Sequence, residues 1–221
     1  MKKGPVVQIV HSLDDTAWRD FVNNHPLGNI FHTPEMFQVF ARARGHKPLL
    51  WAAVNREGCP LALLLPVQIT LLDGPMRPFT TRAIVHGSVL HETSPRGAQA
   101  LENLLRAYVQ QTKGVLFTEL RNPSDLALIQ LALQSCGFQY EEHLNYLIRL
   151  DCTSEEVLQN ISRRTRKRIR RGLRAGDVLV REIRQREELA RCYELLSRSY
   201  AFARVPLADP SLFEAAFDLL Q

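Results

Sequence analysis

The stretch SPRGAQALENLLRAYVQQTKGVLFTEL, residues 94–120, decides the fold class. From Ser94 to about Lys113 leucine and alanine recur at helical spacing, and Gly114 ends the run. VLFTEL then reads as a buried strand. Upstream, VVQIV is a short strand and DDTAWRDFVNNHP an acid-capped helix closed by Pro26 and Gly28. NIFHTPEMFQVFARARG is a second helix, with Thr33 as N-cap, Pro34 at the first helical position, and Met36, Phe37 and Phe40 on its apolar face. KPLLWAAVNREGCPLALLLPVQITLL reads as two strands joined by a turn at Glu57-Gly58, and RAIVHGSVL as a further extended piece. Downstream, SDLALIQLALQSCG is a helix and FQYEEHLNYLIRL a long strand. Strands followed by alternating helices and strands predict a mixed α/β (α+β) fold with a partly antiparallel sheet.

After Leu150 the pattern restarts: DCTSEEVLQNISRRTRKRIRRGLRAG as one helix, DVLVREI as a strand, then REELARCYELLSRSYAFAR and DPSLFEAAFDLLQ as helices. Asp209 caps the last of these, which turns Leu212, Phe213, Ala216, Phe217 and Leu220 inward. One strand with three helices is a poor core, so residues 151–221 read as an unfinished second unit.

Charge is concentrated in one place. Arg163 to Arg174 holds eight Lys or Arg and no acid. Without that run, 20 basic residues stand against 23 acidic ones, so the net charge of +5 falls to −3. A focused patch points to a specific anionic partner. Thr153 and Glu156 form a capping box. On one continuous helix Val157, Leu158, Ile161, Thr165, Ile169 and Leu173 share a face that docks on a core. Arg163, Arg164, Arg166, Lys167, Arg170, Arg171 and Arg174 occupy the opposite arc, and Arg168 lies on the apolar side. An inward Arg168 reaches a carboxylate, snorkels, or grips a phosphate.

No DNA-reading scaffold is visible, so DNA is not expected as a partner. The apolar face lacks the bulky aromatics of a membrane-surface helix. The guanidinium fork suits phosphates. A phosphorylated or pyrophosphate-bearing substrate, with or without an RNA acceptor stem, fits the run; a solvated basic face fits it equally on charge alone. His32, at a loop-to-helix junction, is a general base or a pocket wall, or an ordinary loop histidine. Glu119 lines a cleft at a strand end or pairs with Arg121 or with the basic helix. The sequence holds no GxG, GxxxxGK, HExxH or GxSxG motif. Cys59, Cys136, Cys152 and Cys192 have no metal-site spacing, and buried free thiols in a reducing compartment are expected of them. The N-terminus lacks the apolar core of a signal peptide, and no window reaches about 18 apolar residues. A cytoplasmic location is the resulting expectation.

Three segments carry a resemblance: GNIFHTPEMFQVF; VLFTELRNPSD continuing through LQSCGFQYEEHLNYLIRLDCTSEEVLQNISRRTRKRIRRGLRAGDVLVREI; and RVPLADPSLFEAAF. They resemble the FemAB/FemX family of peptidyl and aminoacyl transferases, built from two domains of the GNAT acyltransferase fold. The resemblance spans essentially the whole chain. It implies a first GNAT-like domain over 1–150 and the opening of a second over 151–221. The implied activity moves an activated amino acid or acyl group onto an amine of a cell-wall or polysaccharide precursor, in peptidoglycan or exopolysaccharide assembly. Aminoacyl-tRNA or acyl-CoA would be the donor, with no resident cofactor or metal and with peripheral contact to the membrane face. Arg204 matches the neighbourhood where the family places a phosphate-binding arginine and joins Arg166, Lys167, Arg168, Arg170 and Arg171 of the run as expected phosphate ligands; Phe213 falls near a family aromatic position and joins His32 and Glu119 as expected pocket residues. Where a family member can carry lysines after GNIFHT, this chain has Gln38 and Phe40, which puts a diphosphate contact there in question. The polar residues serving transfer in the family fall beyond Gln221, so no catalytic residue is carried over, and the chain is expected to be a C-terminally truncated piece, inactive by itself. The alternative expectation is a non-catalytic RNA- or anionic-lipid-binding fragment that uses the helix over 163–174.

Overall fold

A computed structural model describes residues 7–70, 74–123, 125, 127–143, 147–176 and 180–220. The fold is mixed α/β. In chain order it runs β1 (Gln8–Val10), α1 (Asp15–Asn23), a 3-10 turn (Ile30–His32), α2 (Pro34–Arg42), β2 (His46–Pro48), β3 (Trp51–Val54), β4 (Pro60–Leu64) and β5 (Pro66–Thr70). A short α3 (Arg77–Thr80), β6 (Thr81–His86), β7 (Leu90–His91), α4 (Pro95–Gln111), β8 (Thr118–Arg121) and α5 (Gln130–Ser135) follow. The last four helices are α6 (Ser154–Gln159), α7 (Arg163–Ala175), α8 (Glu188–Ala203) and α9 (Pro210–Leu219).

One sheet has the order β1-β3-β4-β7 and is antiparallel throughout; the other is β2-β5-β6-β8, where β6 and β8 run parallel. The two long strands expected over 47–72, of which 71–72 lie outside the described residues, are each broken, at Leu49-Leu50 and at Leu65. The third break lies at Gly87 and Ser88, both with φ 79°. The breaks are neighbours, because the Leu49 amide donates to the Pro66 carbonyl at 2.8 Å. Proline supplies no amide for the ladder, and two left-handed residues cannot continue a strand. Each of these three strand runs therefore leaves one sheet and enters the other at the same level.

The apolar strands β3 and β4 are buried along their length. Leu101, Leu104, Leu105 and Tyr108 of α4 pack against one side with Trp51, Leu64 and Val85. Trp18 and Val22 of α1 cover the other with Leu50, Leu63 and Leu90. The Tyr108 hydroxyl meets Thr118 Oγ1 at 2.8 Å, tying α4 to the strand that follows it.

Several expectations are corrected. VLFTEL forms a strand only from Thr118; Leu116 and Phe117 are exposed, and β8 is only half-buried. Among the described residues β8 pairs with β6 alone, so one edge has no neighbour to bury it. No strand forms at 138–143 or 147–150, and residues 144–146 lie outside the described residues. For DVLVREI, 180–183 are irregular and 177–179 fall outside the described residues. The helix expected over 151–176 is two helices: Asn160 closes α6, and the Ser162 hydroxyl caps α7 by accepting from the Thr165 amide. Short polar side chains that bond the backbone favour such a break over a continuous helix. The cysteines are free, as expected, yet Cys59 is exposed and the other three are half-buried.

The chain divides into two compact units, Met1–Tyr140 with Leu189–Gln221, and Glu141–Glu188. In the larger, α9 packs on α2: the Arg44 amide donates to Ser211 Oγ at 2.8 Å, and the Arg44 guanidinium lies 3.8 Å from Asp209. Its apolar face is thus half-buried rather than left without a partner. Among the described residues no helix is long and apolar enough to cross a membrane.

Candidate functional site

The smaller unit holds the arginine run. Its capping box forms, with the Thr153 amide donating to Glu156 and the Glu156 amide to Thr153 Oγ1. The Thr153 amide and then its hydroxyl, both donating to Glu156 Oε2, lower the pKa of that carboxyl. Within its own unit the apolar face of α7 finds no core: Leu173 is 72% exposed and Ile169 36%. The eight basic residues divide by role. Arg166 turns back on α6, donating to the carbonyls of Ile161 at 3.2 Å and Gln159 at 3.4 Å, where a cation also suits the helix dipole. Arg170 pairs with Glu155 at 2.5 Å. Arg168 is exposed, with no ion pair or hydrogen bond to a described residue. The same holds for Lys167 and Arg171, so three of the five run positions expected to bind phosphate are exposed cations and two are latches.

The other predicted residues lie in the larger unit. His32 is fully enclosed. Its Nδ1 accepts from the Asn29 amide at 3.3 Å, which puts the proton on Nε2 and lets that atom donate to the Ser88 carbonyl, also at 3.3 Å. Burial takes its pKa down to about 4. Both nitrogens are engaged, so this imidazole clamps the strand break at Gly87-Ser88 and has none left for proton transfer. Gly87 is required there: a Cβ would come within 2.7 Å of Asn29 Oδ1. Glu119 receives Arg121, with Nε to Oε1 at 2.8 Å. Phe213 packs edge-on against Tyr193, whose hydroxyl donates to the Ala208 carbonyl at 3.0 Å. Arg204 is exposed and sits at φ 55°, the left-handed position that closes α8; its amide donates to Ala201 and that of Val205 to Tyr200.

Glu119 and Arg121, paired as one of the sequence expectations had them, belong to a larger polar group of which Arg82 and His86 escaped the sequence reading. The register sets Ile84 opposite Glu119 and His86 opposite Arg121, at the carboxyl ends of the parallel pair. Strand alternation puts Arg82, Ile84 and His86 on one face with Glu119 and Arg121, while Val85 and Thr118 face α4. His86 lies between Phe31 and Phe40, with ring centroids 5.2 and 5.5 Å away and planes within 25° and 12°. His46 continues the stack on Phe40 at 6.0 Å. Burial, and then the nearby Arg121 cation, take the His86 pKa down to about 4, with Glu119 opposing. Arg82 Nε is buried without a hydrogen-bond partner. Arg82 and His86 on one face of TRAIVH, and Glu119 and Arg121 on one face of TELR, were the available signal. Strand ends of parallel pairs are where α/β proteins place ligands. A neutral imidazole beside a guanidinium–carboxylate pair can orient a polar substrate or pass a proton.

Among the described residues no group of three His, Cys, Asp or Glu is arranged to hold a metal ion. No protein-family model matches this chain, and no curated protein matches it. Three solved structures show distant likeness. A probable acetyltransferase is 13% identical, over 66% of this chain and 99% of its own, with a TM-score of 0.43. Aminoglycoside N-acetyltransferase AAC(6')-Iy, in complex with CoA, is 14% identical over 69% and 99%, at 0.44. A transcriptional regulator from Bacillus halodurans C-125 is 14% identical over 64% and 99%, at 0.42. At that distance none assigns a role to a residue of this chain.

Proposed function

We propose that this protein is an acyl-transfer protein of the FemAB/FemX type. In this reading residues 1–150 are a first GNAT-like domain and 151–221 the opening of a second. It adds an activated amino acid or acyl group, carried by aminoacyl-tRNA or CoA, to an amine of a cell-wall or polysaccharide precursor. The reading rests on the resemblance through VLFTELRNPSD and the arginine run. The observation that carries it is that Lys167, Arg168 and Arg171 are exposed, with no acid paired to them among the described residues. Arginine and lysine left free in this way suit substrate phosphates. The amine nitrogen attacks the activated carbonyl, a C–N bond forms, the C–O or C–S bond to the carrier breaks, and the nitrogen's proton passes to the leaving group. Catalysis is mainly by positioning.

The test is a transfer assay read by mass spectrometry, with aminoacyl-tRNA or acyl-CoA as donor and a lipid-linked precursor bearing a free amine. The expected product is the precursor plus one acyl group, its rate lowered roughly tenfold or more by Lys167→Glu, Arg168→Glu and Arg171→Glu together. A folded protein that forms no product and binds neither donor nor the lipid-linked precursor would sink the reading. A second reading, a binding module without chemistry, is favoured by one observation: the cationic helix is held by latches within its own small unit.

A further inference from the structure

We infer that the face of the β2-β5-β6-β8 sheet carrying Arg82, His86, Glu119 and Arg121 is a binding site for a small aromatic monocarboxylate. The site is separate from the arginine run and stands without the transferase reading. The register assembles it within the larger unit: Ile69 lies opposite Arg82, Ile84 opposite Glu119 and His86 opposite Arg121, all on one face. At about 3.3 Å per residue and about 4.8 Å between strands, the backbones of Arg82 and Glu119 come within about 8 Å. Arg121 leans back along β8 toward the same point, with Nε at 2.8 Å and Nη2 at 3.4 Å from the two oxygens of Glu119.

One carboxylate thus stands between two guanidiniums, and Arg121 holds it. Arg82 makes no ion pair or hydrogen bond with a described residue, and its Nε is buried without a partner. A half-buried guanidinium without an acid is costly unless something supplies the missing acceptor. The charge balance selects what that is. His86 is neutral, since burial takes its pKa down to about 4. Glu35, the acid of α2, is held by Arg19 at 2.7 Å. Among the described residues of this face, two guanidiniums and one carboxylate leave one surplus positive charge, which a single carboxylate cancels. Arg121 spends Nε and Nη2 on Glu119 and keeps Nη1, so the ligand meets planar donors from two forks. The apolar end is Phe31, 38% exposed, whose ring stacks on His86 at 5.2 Å. An arene continues that stack, whereas an inorganic anion would leave the ring uncovered. Asp73, the acid that precedes Arg82 in the chain, lies outside the described residues and is therefore included in the test.

The test is fluorine NMR of 4-fluorobenzoate titrated with the full chain at pH 7, with melting curves to confirm that each variant folds. Saturable binding at about millimolar concentration is expected, and the neutral 4-fluorobenzamide should not share it. Arg82→Gln should weaken binding about tenfold or more, and Phe31→Ala about threefold. Glu119→Gln releases the Arg121 fork and should tighten binding about threefold or more, a gain that a misfolded variant does not produce. Arg106→Gln on α4 should leave it unchanged. Asp73→Asn should change affinity by less than about threefold, as for a screened charge. A gain of about tenfold or more there would mean that Asp73 already neutralises Arg82, and would overturn the inference. No saturation, equal binding of the amide, or unchanged affinity in a folded Arg82→Gln variant would each overturn it as well. Acyl transfer without 4-fluorobenzoate binding removes this inference alone, and failure to bind donor or precursor leaves it standing.

Discussion

The sheet region and the α6–α7 hairpin are stabilised by different forces. In the larger unit, apolar side chains from α1 and α4 enclose β3 and β4 from both sides. In Glu141–Glu188 no described residue is buried. There the order comes from a capping box, an arginine on the carbonyls that end α6, and exposed ion pairs. Hydrophobic burial is worth about 1.5–3 kcal/mol per large side chain, whereas a cap contributes about 1 and an exposed ion pair less. The same chain therefore combines a rigid scaffold with a marginal, highly charged hairpin. Stability sits where water is excluded, and the exposed cations sit where it is not.

The sharpest way to break this contrast is to truncate one leucine in each region. Leu104→Ala, at a fully buried position, should lower global stability by about 2–5 kcal/mol in urea denaturation. Leu158→Ala, half-buried on α6, should cost about 1 kcal/mol or less. Equal costs would show that the hairpin has a core of its own.

Gly87→Ala comes next, with an expected loss of about 1–3 kcal/mol, since it forces φ 79° on an alanine facing Asn29. A melting temperature equal to the parent's would mean that the strand break relaxes freely.

Acid should act on the larger unit through His32. Its pKa falls from 6.5 to about 4 in the fold, so the unfolded chain takes up the proton first. This contribution is complete above pH 6.5 and is lost at about 1.4 kcal/mol per pH unit on the way down to pH 4. Urea midpoints at pH 7 and 5 measure it, and a His32→Gln variant should show a shallower pH dependence. Parallel curves for parent and variant would remove His32 as the acid-sensitive clamp.

Thr153→Ala should cost about 1 kcal/mol, confined to α6 and read as faster amide exchange over 154–159 with α4 unchanged. The smallest effect is expected at Arg204. Replacing it with glycine should relieve the left-handed backbone by about 0.5–1 kcal/mol and raise the melting temperature slightly.

Much of the frame was legible along the chain. Thr33-Pro34, Ser94-Pro95 and Asp209-Pro210 announce helix starts by local chemistry, and each cap forms as its residues dictate. Errors arose where an outcome depended on a distant neighbour. FQYEEHLNYLIRL has strand periodicity, yet no strand forms in its described residues: a pattern alone does not bring a partner strand into register. His32 looked like a loop histidine until its two bonds, to Asn29 and across to Ser88, gave it a clamping role. His86 went unnoticed because its surroundings come from the 3-10 turn, α2 and β8, all remote in sequence.

The sequence by itself determined the mixed α/β class, the helix caps and the concentration of positive charge in one run, since these depend on residues within a turn or two of one another. Tertiary structure alone decided where the sheets break, which arginines are latches and which stand exposed, and that Arg82, His86, Glu119 and Arg121 share a face. Those outcomes depend on which distant groups meet and exclude water, and local periodicity does not encode that.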